Sequence, residues 1–253
     1  MASKPTILLI HGAWHDVSCW DRVRAQLSAL SYPTATVALV SPGSKPAVKS
    51  HLEDVAVVRK ELEHLIEKNG KDVVLVMHSY GGLAGAGAVE GLEKVRRNAA
   101  GEQGGVVAAV FIAAFLVDKG QSLLGQFPQK PPYLIEDPDD ASYCLVDNFH
   151  ETFYNDLPEE ASKPFVDKMR PQPISTFLSK VESTCWANGM VRCSYLFCER
   201  DQGVYPFLQD FMLKNREADS GRPWDIVKVD ASHSVWLSQP EKVVQVIEQC
   251  AAT

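Results

Sequence analysis

"VVLVMHSYGGLAGAG", residues 73–87, is a valine-rich apolar run that breaks at His78-Ser79 and passes at once into glycines and alanines. A run of this kind reads as a buried strand, and the small residues behind it let a helix pack closely against it. Ser79 then stands at the head of a strand-to-helix turn, with Gly81 two residues on and Gly82 next. Such a turn holds a serine hydroxyl exposed above the sheet, where a base can activate it; unassisted, the hydroxyl is a poor nucleophile. The usual spacing is G-x-S-x-G, and Met77 occupies its first position here. That departure predicts a slightly wider turn with the methionine packed into the sheet. A dinucleotide loop would need G-x-G-x-x-G directly after the strand, which this stretch lacks. A buried Ser-Gly turn used only for packing is the plainer alternative.

Further strand-like runs lie on either side: PTILLIH (5–11), TATVALV (34–40), VVAAVFIAAF (106–115), CSYLFCE (193–199) and WDIVKVD (224–230), with DVVLVMH (72–78) the third in order. Near-continuous apolar runs of this type fit strands covered on both faces. Helical patterns separate them. Apolar residues at 52, 55, 58, 62, 65 and 66 form one stripe, closed by Gly70. The last helix opens at SQPE, with Ser238 as N-cap and Pro240 in the first turn. The alternation predicts an α/β fold, a six-stranded, mostly parallel sheet with helices on both faces. Strand signals vanish over 118–190, where prolines and acidic residues multiply around Phe149, Phe153, Tyr154, Phe165 and Trp186. This stretch is expected to be an ordered, helical lid inserted after the fourth strand, with 1–117 and 191–253 forming the core.

The 253 residues, 45% hydrophobic, suit one large α/β unit. A net charge of −7 without a basic cluster argues against nucleic acid or anionic membranes as partners. The four-residue apolar run of MASKPTILLIHG is too short for a signal-peptide core or a membrane span. Six cysteines (19, 144, 185, 193, 198 and 250) show neither CxxC nor metal-like spacing with histidine, and read as reduced packing residues of a cytoplasmic protein. No metal or cofactor is expected. The partner is a small molecule, and a homodimer is left open.

Nucleophilic chemistry needs two further groups, an acid and a histidine, on loops after later strands. CERDQGVYP offers Asp201 after the fifth strand, and DASHSVW offers His233 after the sixth. Glu199 is the rival acid but lies inside the strand run. Of the histidines at 11, 15, 51, 64, 78, 150 and 233, only His233 occupies the late loop; His11 and His78 sit at strand ends and are expected to hold loops in shape. The turn in LLIHGAWH, after the first strand, can aim the N–H of Ala13 at the serine, beside the N–H of Tyr80, as donors to an oxyanion.

Taken in order, LLIHGAW, VMHSYGG, VVAAVFIAAFLVD, YLFCERDQGVYP and DASHSVWLSQPEKV resemble segments of the α/β-hydrolase superfamily, in the compact branch of plant methylesterases, hydroxynitrile lyases and fungal hydrolases. FYNDLPEE looks most like fungal members. The resemblance implies Ser79, Asp201 and His233 as a triad, with Ala13 and Tyr80 as oxyanion donors. Hydroxynitrile lyases of this branch carry threonine after the first histidine and lysine after the triad histidine; Gly12 and Ser234 stand there instead, as in the esterases. The acid loop is one residue longer before its proline, with Tyr205 extra. The expected activity is hydrolysis of a small or medium hydrophobic ester or lactone, with Trp14, Trp186 and Val204 as substrate contacts. A lyase, an acyltransferase or cyclase using the same triad, and a small-molecule receptor are the other readings this fold admits.

Overall fold

The computed structural model describes residues 4–214 and 216–252. The strands of its main sheet are β1 (Thr6–Ile10), β2 (Thr34–Val37), β3 (Asp72–His78), β4 (Gly105–Ile112), β8 (Arg192–Cys198) and β9 (Asp225–Val229). They run in the order β2-β1-β3-β4-β8-β9, and every neighbouring pair is parallel. Between β4 and β8 lie three short antiparallel strands, β5 (Leu134–Glu136), β6 (Tyr143–Val146) and β7 (Gln172–Pro173). Helices α1 (Asp21–Ala29), α2 (Leu52–Glu63), α3 (Gly81–Gly87) and α4 (Lys94–Ala99) precede the insertion, which carries α5 (Phe149–Phe153), α6 (Glu159–Val166) and α7 (Ser175–Leu178). After it come α8 (Pro206–Leu213), α9 (Arg216–Ser220), α10 (Val235–Ser238) and α11 (Pro240–Ala251).

The strand order reverses between β1 and β3, because the chain steps outward to β2 before returning. The loops after β1 and β3 therefore open side by side at the carboxyl edge, where open parallel sheets bind ligands. The central strands β1, β3, β4 and β8 are almost wholly buried. The edges differ from expectation: β2 is half-buried and β9 largely exposed, since an edge strand is covered on fewer sides. The stripe at 52–66 forms α2 and runs on as a wider π turn over His64–Lys68, and Gly70 closes it at φ 63°. Ser238 is not the N-cap of the last helix. It ends α10, and Gln239 precedes Pro240 at the start of α11. The insertion is not wholly helical either, because β5, β6 and β7 pair within it; their runs are too short to show a period-2 signal.

Met77 is fully buried, and its thioether lies against Gly85 of α3. A Cβ at residue 85 would stand 2.5 Å from Met77 Sδ and 2.6 Å from its Cγ. The space that glycine leaves at the first position of G-x-S-x-G is thus supplied by Gly85, one helical turn beyond Gly81. Gly85→Ala is expected to cost about 1–3 kcal/mol by overpacking, measured by urea denaturation. The cost should shrink when Met77→Ala removes the opposing side chain.

All six cysteines are buried, and none forms a disulfide. Among the described residues no helix is long and apolar enough to cross a membrane, and no cluster of ligating side chains could hold a metal ion.

Candidate active site

Ser79 sits at φ 55°, the left-handed conformation that a sharp strand-to-helix turn imposes on a non-glycine residue. Its N–H donates to the Ile112 carbonyl, and its own carbonyl accepts from Gly82 and Phe115, so the turn is bonded both to α3 and to the end of β4. Small residues are required around it. A Cβ at Gly81 would meet the His11 carbonyl at 2.7 Å, and one at Gly12 would stand 2.9 Å from Ser79 Cβ. Gly12 therefore lets the loop after β1 close onto the serine.

Asp201 and His233 are both buried, and His233 Nδ1 lies 2.8 Å from Asp201 Oδ2. A carboxylate can only accept, so Nδ1 carries the hydrogen and Nε2 keeps its lone pair. The other carboxylate oxygen, Oδ1, accepts from the N–H groups of Gly203 and Val204, each at 2.8 Å. Gln209, on α8, braces the loop by bonding Cys198 and Val204. His78 donates from Nε2 to the His233 carbonyl at 3.0 Å, and His11 Nε2 accepts from Leu39 N–H, so both do hold loops in shape.

The insertion clasps the histidine loop. The Phe153 carbonyl accepts from Ser234 N–H and the Ser232 hydroxyl, and its ring lies over His233 with centroids 5.0 Å apart. Tyr133 donates to the Gly203 carbonyl at 2.6 Å. Trp14 joins the loop after β1 to the insertion: its indole donates to Cys144, and its N–H to Gln172 Oε1. Beside the serine, Tyr80 donates to the fully buried Asp54 carboxylate at 2.6 Å, and Asp54 also accepts from the N–H groups of Val40 and Ser41. Burial and the Asp54 charge push the Tyr80 phenol well above its ordinary range, which keeps it a donor.

A narrow cavity opens over this arrangement; it spans about 350 Å³ counting space open to solvent, of which only about 20 Å³ is accessible to the centre of a water molecule. Its lining includes Ser79, His233, Ala13, Tyr80 and Trp14, with Tyr133, Phe153 and Phe177 above them, and contains no Asp, Glu, Lys or Arg. Among the described residues the N–H groups of Ala13 and Tyr80 have no hydrogen-bond partner. Two expected contacts lie elsewhere. Trp186 packs in the core against Phe111 and Trp224, and Val204 is buried behind the acid loop, where only its N–H serves Asp201; the neighbouring Gly203 lines the cavity instead. The sequence marks Phe153 only as an aromatic of the insertion, and gives no role at the site to it, Tyr133, Gln209 or Asp54. Only Asp54 left a signal, as an acid four residues before Val58 on the buried face of α2.

Burial depresses three histidines around the site. His15 is lowered to about 3; its Nδ1–H donates to the Ala13 carbonyl, and its Nε2 accepts from the Tyr154 hydroxyl. His11 and His78 are also lowered, mainly by burial, and the neighbouring His233 adds to the effect on His78. The unfolded chain takes up these protons near pH 6.5 while the folded chain refuses them. Stability is therefore full above that pH and falls as pH drops through it, down to about 3 for His15. Each such group contributes a slope of about 1.4 kcal/mol per pH unit. The urea midpoint should be lower at pH 5.5 than at pH 7.5, and His15→Gln should flatten the dependence.

Residues 7–246 match the alpha/beta hydrolase family, and the chain belongs to it. An alpha/beta hydrolase of Aspergillus novofumigatus, nvfD, is 29% identical over 98% of this chain and 97% of its own length. A carbendazim hydrolyzing esterase of Nocardioides sp. is 22% identical over 94% of this chain and 96% of its own. Among solved structures, the Arabidopsis methylesterase MES16 superposes with a TM-score of 0.71 at 21% identity, covering 98% of this chain and 99% of that one.

Proposed function

We propose that this hydrolase cleaves a neutral, apolar carboxylic ester or lactone through an acyl-enzyme on Ser79. The observation that carries the reading is the shared cavity. Ser79, at the head of a strained turn, and His233, oriented by buried Asp201, face one narrow space with no charged lining. Such a lining supplies no Asp, Glu, Lys or Arg to pair with a charged substrate and favours an uncharged one.

Ser79 Oγ attacks the carbonyl carbon while His233 Nε2 takes its proton, and Asp201 stabilises the resulting imidazolium. The negative charge on the former carbonyl oxygen is met by the N–H groups of Ala13 and Tyr80; one such donor is typically worth about 10²–10³ in rate. When the tetrahedral species collapses, the bond to the alkoxy oxygen breaks, and His233 returns the proton to the leaving alcohol. A water then attacks the acyl-enzyme, giving its proton to His233, and the second collapse releases the acid and restores Ser79–OH. For a lactone the alcohol and the acid are the two ends of one product. The insertion 118–190 acts as a lid in this scheme, keeping bulk water out and orienting the histidine through Phe153.

Stopped-flow turnover of p-nitrophenyl butyrate tests this. An initial burst of nitrophenolate, one per enzyme, followed by a slower steady rate is expected if the acyl-enzyme accumulates; turnover that no serine-directed reagent can stop would contradict the reading.

A further inference from the structure

The cavity over Ser79 is narrow, so an ester body of more than a few carbons has to continue outside it. An open groove, mostly apolar but with Lys180 and Gln121 in its lining, lies next to it, and Phe127 lines both spaces. The chain between them is thin: Leu123 and Leu124 face the cavity, whereas Gly125, Gln126 and Pro128 face the groove. Across the groove, α8 presents Phe207 and Phe211 one turn apart, 60% and 63% exposed. A run of aromatic rings connects the two sites. Phe153, over His233, is 6.4 Å from Tyr133; Tyr133 is 6.2 Å from Tyr205; and Tyr205 stacks on Phe207 at 5.5 Å and 12°.

Leaving two phenylalanines in water on one helix face forfeits burial that a bound apolar ligand would recover. From the ring run and the shared wall we infer that this groove is a second substrate site, which takes the uncharged aromatic or polycyclic body of an ester whose carbonyl lies at Ser79. The inference rests on the ester reading for its second half. The groove itself stands on its own geometry. Face and edge packing on Phe207, Phe211 and Phe127 selects flat ring systems over flexible chains, because a rigid body loses less freedom on binding.

The test uses the double variant Phe207→Ser/Phe211→Ser, whose exposed positions leave the core intact; a thermal melt verifies that. The first readout, independent of chemistry, is the Kd of the neutral fluorescent probe N-phenyl-1-naphthylamine, expected to rise about tenfold or more. The second is the ratio of kcat/KM for p-nitrophenyl 4-(1-pyrenyl)butanoate to that for p-nitrophenyl acetate, expected to fall about tenfold through KM. Unchanged probe affinity overturns the inference whatever the esters do. Lost probe affinity with an unchanged ester ratio overturns it too, since the groove would not be in line with Ser79. Lost probe affinity with no ester turnover by either protein supports the groove as an aromatic-ligand site and removes the ester reading alone. A dimer in sedimentation that dissociates in the double variant assigns the face to a second copy and overturns the inference.

Discussion

Ser79→Ala will lower kcat for an activated ester by about 10⁴–10⁶ while moving the thermal midpoint little. In the proposed mechanism the hydroxyl forms the bond to carbon, and nothing else in the cavity lining could replace it: the remaining side chains are a histidine already bonded to Asp201, two tyrosines and apolar groups. Alanine inherits the same positive φ that serine tolerates, so the strain of the turn is carried over rather than relieved. His233→Ala should fall to a similar level, and the double variant no further, because the two groups act as one unit. The residual rate, about 10³–10⁴ above water, would come from the N–H donors and binding. Steady-state kinetics of the three variants measures this; additive losses would contradict the coupling.

Asp201→Asn is the second large effect, about 10⁴ in kcat, and the geometry dictates why. Oδ1 accepts from the N–H groups of both Gly203 and Val204, so the amide of an asparagine has to keep its oxygen on that side. Its NH₂ then faces His233 Nδ1, where Oδ2 stands now. Two donors cannot share a hydrogen bond, so the imidazole moves its hydrogen to Nε2 and loses the lone pair that would take the serine's proton. The variant should fold as the parent does and bind substrate with a similar KM. A loss in kcat of less than about tenfold would mean that Asp201 does not set the tautomer.

The fold was legible because its chemistry is local. Apolar runs such as the valine-rich 72–78 and CSYLFCE at 193–199 mark buried parallel strands, and the observed strands fall within a few residues of them. Ser79, Asp201 and His233 could be singled out because each follows a strand in a loop at the same edge of the sheet. What could not be read depended on partners distant in sequence. Trp186 looks like a lid aromatic until the fold brings Phe111 and Trp224 to it. The accommodation of Met77 resides in Gly85, which any helix might carry for other reasons. The small sheet of the insertion escaped notice because β5 and β7 are three and two residues long, below the length at which alternation shows. Phe153 over His233 joins residues far apart in the chain, and an aromatic in a proline-rich stretch gives no hint of which ring it will cover.

The most direct test of the central claim is the intact mass of the protein after treatment with a fluorophosphonate, measured for wild type and for Ser79→Ala. The account predicts one adduct on the wild type, located at Ser79 by peptide mapping, and none on the variant. A wild-type protein that stays unmodified, or an adduct that persists in Ser79→Ala, would contradict it: the turn that begins at Met77 would not present a working nucleophile.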